Sequence, residues 1–324
     1  MLNFKKALST LKGLFVYRNV YIFINEAILD NKYYCTIFEA NKLISQIFMK
    51  AIFRIILIVF VFTGLSSCSK FSKIQKSNDT SYKLQKADEF YSKKKYKNAQ
   101  LLYEELFPSV KGTEKFEDLY YKWAYCFYYQ KLYKDAENLF KGFLEVFPNS
   151  PRAEEVDYVR AYCYFKQSPK IELEQVNTLK SMNMMQIFIN THPGSSRIKD
   201  ATAIIDEGRA KLELKEARSA QLYYNLNQFR SSGLSFNSLL NNYPESQRAD
   251  EYKLMVVKSF YKFAKLSVPE KQIERFEKVT TEYLDFADRF PESKLLKEAE
   301  GYSKLSQKNI KELTNEQTSS SAKL

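Results

Sequence analysis

Tyr121-Lys-Trp-Ala-Tyr-Cys-Phe-Tyr-Tyr-Gln130 recurs, in register, as Tyr158-Val-Arg-Ala-Tyr-Cys-Tyr-Phe-Lys-Gln167. Between the two copies lies a second helical pattern, Tyr133, Ala136, Phe140, Phe143, Leu144 and Phe147, closed by Pro148. Apolar residues at i, i+3, i+7, i+10 and i+11 form one face of an amphipathic helix. A repeating unit of two helices with a terminal proline predicts an α-solenoid, in which each unit buries its apolar face only against its neighbours.

The later units are found by aligning each second helix (helix B) on the residue before its closing proline: Phe147, His192, Tyr243 and Phe290, each followed by Pro-x-Ser. Four residues before that reference stand Phe143, Phe188, Leu239 and Phe286; seven before, Phe140, Met185, Phe236 and Tyr283; eleven before, Ala136, Ser181, Ser232 and Val279. An earlier pair, with Ala87 and Phe90 on one helix and Tyr96, Ala99, Tyr103 and Leu106 on the next, adds a first unit, with an irregular loop expected at Pro108. Counted from Glu117, Trp123, Ala124, Phe127, Ala136, Phe140 and Pro148 fall where the tetratricopeptide repeat has its signature residues, and the unit resembles that repeat. The large Phe143 departs from it, because the family usually has alanine there. The fold class is therefore all-α: a tetratricopeptide-like, right-handed helical solenoid of about five repeats. Its intervals between prolines exceed the usual period, and longer first helices (helices A) or loops near Ser168-Pro169 and Ser267-Val-Pro269 are expected to hold the excess.

Eight Gly and eight Pro in 324 residues suit a helical chain, and 24 Tyr with 25 Phe give it many rings to pack. The net charge of +12 is not gathered with aromatics on any one helix face, so no nucleic-acid partner is read from it. From Met49 the text changes: a short basic stretch to Arg54, an apolar run Ile55–Phe62, then Leu65-Ser66-Ser67-Cys68. Basic, apolar and small-residue segments in that order mark a secretory signal, and the apolar run is short for a membrane span. The last four residues resemble the lipobox of bacterial lipoproteins, which implies acylation of Cys68 and a membrane anchor there. On this reading residues 1–48 are a gene-model extension, 49–67 the signal peptide, 68–80 a lipidated flexible tether, 81–310 the solenoid and 311–324 a disordered tail.

With lipobox, tether and repeats together, the chain from Met49 to Ile310 resembles the BamD family of outer-membrane-protein assembly lipoproteins. Phe147-Pro-Asn-Ser-Pro151 followed by Asp157-Tyr158 is similar to the family's boundary between second and third repeats. Lys199-Asp-Ala-Thr202 through Leu222-Tyr-Tyr224 to Tyr243-Pro-Glu-Ser246 is similar to its long helix and fourth repeat. The resemblance implies a non-enzymatic scaffold on the periplasmic face of the outer membrane. It also implies two partners, the barrel-inserting subunit (BamA-like), met by the repeats around Ala249–Pro291, and unfolded outer-membrane protein precursors. The alternative is a periplasmic repeat lipoprotein serving envelope maintenance or cell division.

No histidine pair, phosphate loop or nucleophile motif occurs, so no cofactor, metal or catalytic residue is expected. The single histidine, His192, is read as a packing residue. Cys126 and Cys163 occupy equivalent places in adjacent repeats, too far apart for a disulfide at about 10 Å helix spacing, and are read as buried free thiols. In tetratricopeptide arrays helix A lines the concave face. Carried over to this chain, that places Tyr121, Tyr125, Tyr128, Tyr158, Tyr162 and Phe165 along one peptide-binding groove, with Trp123, Ala124, Phe127 and Tyr164 filling the core; the alternative is that the six rings pack only against neighbouring helices.

Overall fold

The computed structural model describes residues 71–321. The expected extension, the expected signal peptide and Cys68 lie outside the described residues. The chain divides into two compact units, Met1–Asp79 and Thr80–Leu324. Of the first only residues 71–79 are described; Phe71–Gln75 are helical there, where an irregular tether was expected, with Phe71 and Ile74 on one half-buried side.

In the second unit the described residues form eleven helices. They are α1 (Thr80–Ser92), α2 (Tyr96–Val110), α3 (Phe116–Tyr129), α4 (Tyr133–Val146), α5 (Ala153–Lys166), α6 (Val176–Thr191), α7 (Ile198–Asn225), α8 (Phe229–Asn242), α9 (Ala249–Lys265), α10 (Pro269–Arg289) and α11 (Leu296–Ser321). Each packs on the next in chain order, and α11 also reaches back to α9. Five A/B hairpins are thus stacked in a row and closed by one helix, the all-α solenoid that the repeat predicts.

Small and large residues set the approach of each pair. Ala99, Ala136, Ser181, Ser232 and Val279, one on every helix B, are essentially fully buried. Where serine replaces alanine, its hydroxyl is satisfied by a carbonyl of the facing helix A: Ser181 Oγ donates to Ala161 O at 3.5 Å and Ser232 Oγ to Ala220 O at 3.0 Å. Phe143, Phe188, Leu239 and Phe286, one turn from each loop, have no exposed surface. Phe143 is accommodated because Gly142 beside it leaves room for Tyr120, whose hydroxyl would lie 2.2 Å from any Cβ at that position.

The long proline intervals are explained by α7, which runs 28 residues, by the 167–175 loop that α7 holds down, and by α10, a helix B of 21 residues. Lys211 Nζ donates to Ser168 Oγ at 2.7 Å, Lys215 Nζ to the Leu173 carbonyl at 2.6 Å, and Arg218 pairs with Glu172. Two sequence expectations change. Helix α2 runs through Pro108 to Val110 instead of breaking there, since so near a helix end the ring removes a single backbone bond. The tail is helical to Ser321, not disordered from 311: Ile310 and Leu313 extend the apolar stripe of α11 onto the core of the fifth repeat.

Three A-to-B turns close alike, with a left-handed residue after helix A: Lys94 (φ 57°), Lys131 (φ 64°) and Asn227 (φ 60°). The following N–H reaches back five residues in each, as from Leu132 to the Phe127 carbonyl at 3.0 Å. Lysine carries a Cβ penalty in that conformation that glycine does not. Lys131→Gly is therefore expected to raise stability by about 1 kcal/mol, read as a higher urea midpoint; a lower midpoint would show that the lysine side chain matters more than its backbone.

A tyrosine face as candidate binding site

From α4 onward each B-to-A turn is fastened by the serine of the Pro-x-Ser motif. Ser150, Ser195, Ser246 and Ser293 donate through Oγ to Glu117, Glu154, Glu213 and Asp250 of the preceding helix A, at 2.7, 2.6, 2.6 and 2.6 Å. Each Oγ also accepts the backbone N–H two residues on, at 3.0–3.1 Å, at the start of the next helix A. In three of these turns that residue is arginine. Arg152 lies 4.4 Å over the Tyr121 ring, Arg197 4.9 Å over Tyr158, and Arg248 5.3 Å over Tyr252. The sequence reading caught the serine but missed the arginine, although Pro-x-Ser-x-Arg stands at Pro148, Pro193 and Pro244 alike.

The six expected groove residues do not form one open row. Tyr125 and Tyr158 are buried, at 5% and 8% exposure. Tyr125 packs edge-on against Phe140 at 5.1 Å and donates to Glu155 at 2.7 Å; Tyr158 packs against Phe188 at 5.4 Å. Tyr121 is half-buried, donates to the same Glu155 at 3.1 Å and is covered by Arg152. Conversely Trp123, Phe127 and Tyr164, expected in the core, are only half-buried. Helix α3 is flanked by α2 and α4. Trp123 leans toward α2, 4.9 Å from Phe107, while Tyr125 takes the inner position toward α4.

What remains accessible is a cluster at the carboxy-terminal ends of α3 and α5: Tyr128, Tyr162 and Phe165 from the expected set, with Tyr129, which the sequence reading passed over. Tyr129 is 45% exposed and stacks on Tyr96 at 4.5 Å with planes 22° apart. Tyr128 meets both Tyr129 (5.5 Å) and Tyr133 (5.7 Å) edge-on, Tyr162 lies 5.5 Å from Phe165, and Lys166 Nζ sits 5.1 Å from the Tyr162 ring. Burial, and secondarily neighbouring Tyr162 and Cys163, push the Tyr128 hydroxyl up to about 12, so it stays a neutral donor at physiological pH. It makes no hydrogen bond to protein among the described residues. Ring faces and the Tyr128 hydroxyl together suit an extended chain with aromatic side chains and unpaired backbone carbonyls.

Cys126 and Cys163 are buried free thiols, as read from their positions, and burial pushes each up to about 12. His192 packs at a tilt against Phe188 at 4.9 Å and meets Asp157 at 3.3 Å. Among the described residues no cluster of His, Cys, Asp and Glu could hold a metal, and no helix is long and apolar enough to cross a membrane.

The model of the family described as "YfiO: Outer membrane lipoprotein" matches residues 75–232, from before α1 into the first turn of α8, and includes the whole tyrosine face. Among solved structures, the "TPR2AB-domain:pHSP90-complex of yeast Sti1" is 12% identical, covering 74% of this chain and 95% of that one, with a TM-score of 0.34. The apo form of RapI is 13% identical, covering 73% and 99%, with a TM-score of 0.25. No curated protein matches the chain. Over residues 75–232, then, this all-helical array is similar to a family of outer-membrane lipoproteins.

Proposed function

We propose that this protein is a non-enzymatic lipoprotein scaffold of outer-membrane barrel assembly, anchored through Cys68 on the periplasmic face of the outer membrane. The observation that carries the reading is the coincidence of the outer-membrane lipoprotein match, residues 75–232, with the accessible tyrosine face of α3 and α5. In this reading Tyr128, Tyr129, Tyr162 and Phe165 take the aromatic strands of unfolded barrel precursors. The tyrosine hydroxyls bond their backbone, and the repeats around Ala249–Pro291 dock the barrel-inserting subunit. Tyr121, Tyr125 and Tyr158 shape the face from beneath.

Affinity purification from membranes tests both halves. The parent protein is expected to bring down a barrel protein with several periplasmic domains, together with unfolded precursors. Tyr128→Ala with Tyr162→Ala is expected to keep the first and to weaken the second by about 1–3 kcal/mol per anchoring ring, measured with a barrel-derived peptide. Consistent absence of the barrel protein would reject the assignment; undiminished peptide binding would move the precursor site elsewhere.

A further inference from the structure

The turn between α9 and α10 is built to hold two aliphatic side chains in solvent. Leu266 is 72% exposed, the highest value among the exposed large hydrophobics, and Val268 two residues on is 60% exposed. The turn is held firmly: Gln272 Nε2 donates to the Ser267 carbonyl at 2.9 Å, Arg275 bonds the Ser267 hydroxyl, and Pro269 starts α10. In the preceding repeat the corresponding turn exposes Leu226 at 58%. Between α8, α9 and α10 lies an open cavity of about 790 Å³ lined by Arg230 of α8, Phe260 and Phe263 of α9, and Glu274, Arg275 and Lys278 among others of α10.

The charge around these tips is mostly positive and partly unmatched. Arg230 and residues 262–278 hold six cations against Glu270, Glu274 and Glu277. Glu274 is matched by Lys271 at 3.5 Å, and Lys278 by Glu282 at 2.8 Å. Arg230, Lys262 and Lys265 have no ion-pair partner among the described residues, and all three are exposed. Protruding aliphatic tips flanked by long cationic side chains match a headgroup layer. There the apolar tip enters the acyl boundary and the stems let the charges stay among phosphates. A peptide would call for a concave apolar seat, whereas Leu266 and Val268 stand out into solvent.

We propose that this edge of the fourth and fifth repeats is a membrane-contact surface. Leu266 and Val268 enter the interface of an anionic phospholipid leaflet, and Arg230, Lys262 and Lys265 meet its phosphates. The inference goes beyond the scaffold function and does not depend on acylation of Cys68.

The test uses the solenoid alone, residues 80–324, which holds its whole described core within one compact unit, so that neither acyl chains nor the apolar run takes part. It is expected to float with phosphatidylcholine vesicles containing about 30 mol % phosphatidylglycerol and to bind pure phosphatidylcholine at least about tenfold more weakly. Leu266→Asp with Val268→Asp should lose about tenfold or more of the binding, while Leu284→Asp, equally exposed on α10, should not. Arg230→Ala with Lys262→Ala and Lys265→Ala should abolish the preference for the anionic lipid. The tip residues pack on little, so melting curves of all variants should match the parent. Absence of flotation, or flotation unchanged in the Leu266 and Val268 variant, overturns the proposal. So does a dimer in solution that this variant dissociates, which would make the edge a protein interface.

Discussion

Tyr125→Ala should destabilise the solenoid by about 3–5 kcal/mol, the range for removing a buried aromatic side chain. Two losses combine. The ring fills the space between α3 and α4 against Phe140, and its hydroxyl is a 2.7 Å donor to Glu155 on α5. Truncation leaves a cavity and also removes one of the two tyrosines that hold the Glu155 carboxylate. Burial, followed by the bond to Glu155, keeps the Tyr125 hydroxyl protonated well above the ordinary tyrosine range, so the donor is present at any working pH. Tyr125→Phe separates the two losses: it keeps the ring and forfeits only a hydrogen bond to a charged group, about 1.5–3 kcal/mol. Urea unfolding measures both. An alanine variant within about 1 kcal/mol of the parent would mean that α4 closes over the gap, and that the ring is not part of the core.

Lys253→Met should cost about 3–5 kcal/mol near neutral pH, because it breaks a buried ion pair and leaves a carboxylate behind. Lys253 is 2% exposed and bonds Glu282, itself 5% exposed, and Asp285; Lys278 reaches Glu282 from the surface at 2.8 Å. Burial works to raise the Glu282 carboxyl, but the bonds and charges of Lys253 and Lys278 outweigh it and hold the group below its ordinary value of 4.5. A carboxyl depressed in the folded state contributes stability that is fully present above its unfolded pKa and is lost as pH falls through the folded one. The parent protein should therefore lose stability progressively below about pH 4.5, and Lys253→Met should flatten that acid limb as well as lower the neutral plateau. A variant with the parent's acid limb intact would show that Lys278 alone sets the Glu282 carboxyl.

The helical register was legible because each helix B repeats the same contrast of small and large residues at fixed distances from its proline. Ala136, Ser181, Ser232 and Val279 are buried where that contrast puts them. The binding face was only half legible. A position number on helix A names a direction on a generic helix, and it does not say that Tyr125 will fill the gap toward α4 or that Arg152 will come from the next turn to cover Tyr121. Tyr129 was missed because only rings shared by both repeats were followed and its counterpart on α5 is Lys166, although it is the most open ring of the cluster. Lys253 and Glu282 sit on different helices with no pattern connecting them, and only packing brings them together. The helical end at Ser321 was hidden by a polar composition that two apolar residues, Ile310 and Leu313, were enough to override.

Ser150, Ser195, Ser246 and Ser293 each tie a carboxylate on one helix A to the first backbone N–H groups of the next, so neither helix can fray without disturbing its neighbour. In a one-dimensional lattice of repeats this strengthens the nearest-neighbour coupling relative to the stability of each unit alone. Strong coupling makes a boundary between ordered and melted repeats expensive, which disfavours partly peeled intermediates. Under heat or tension the repeats from α3 onward then fail at once, as a beam does, and up to that point they stay stiff.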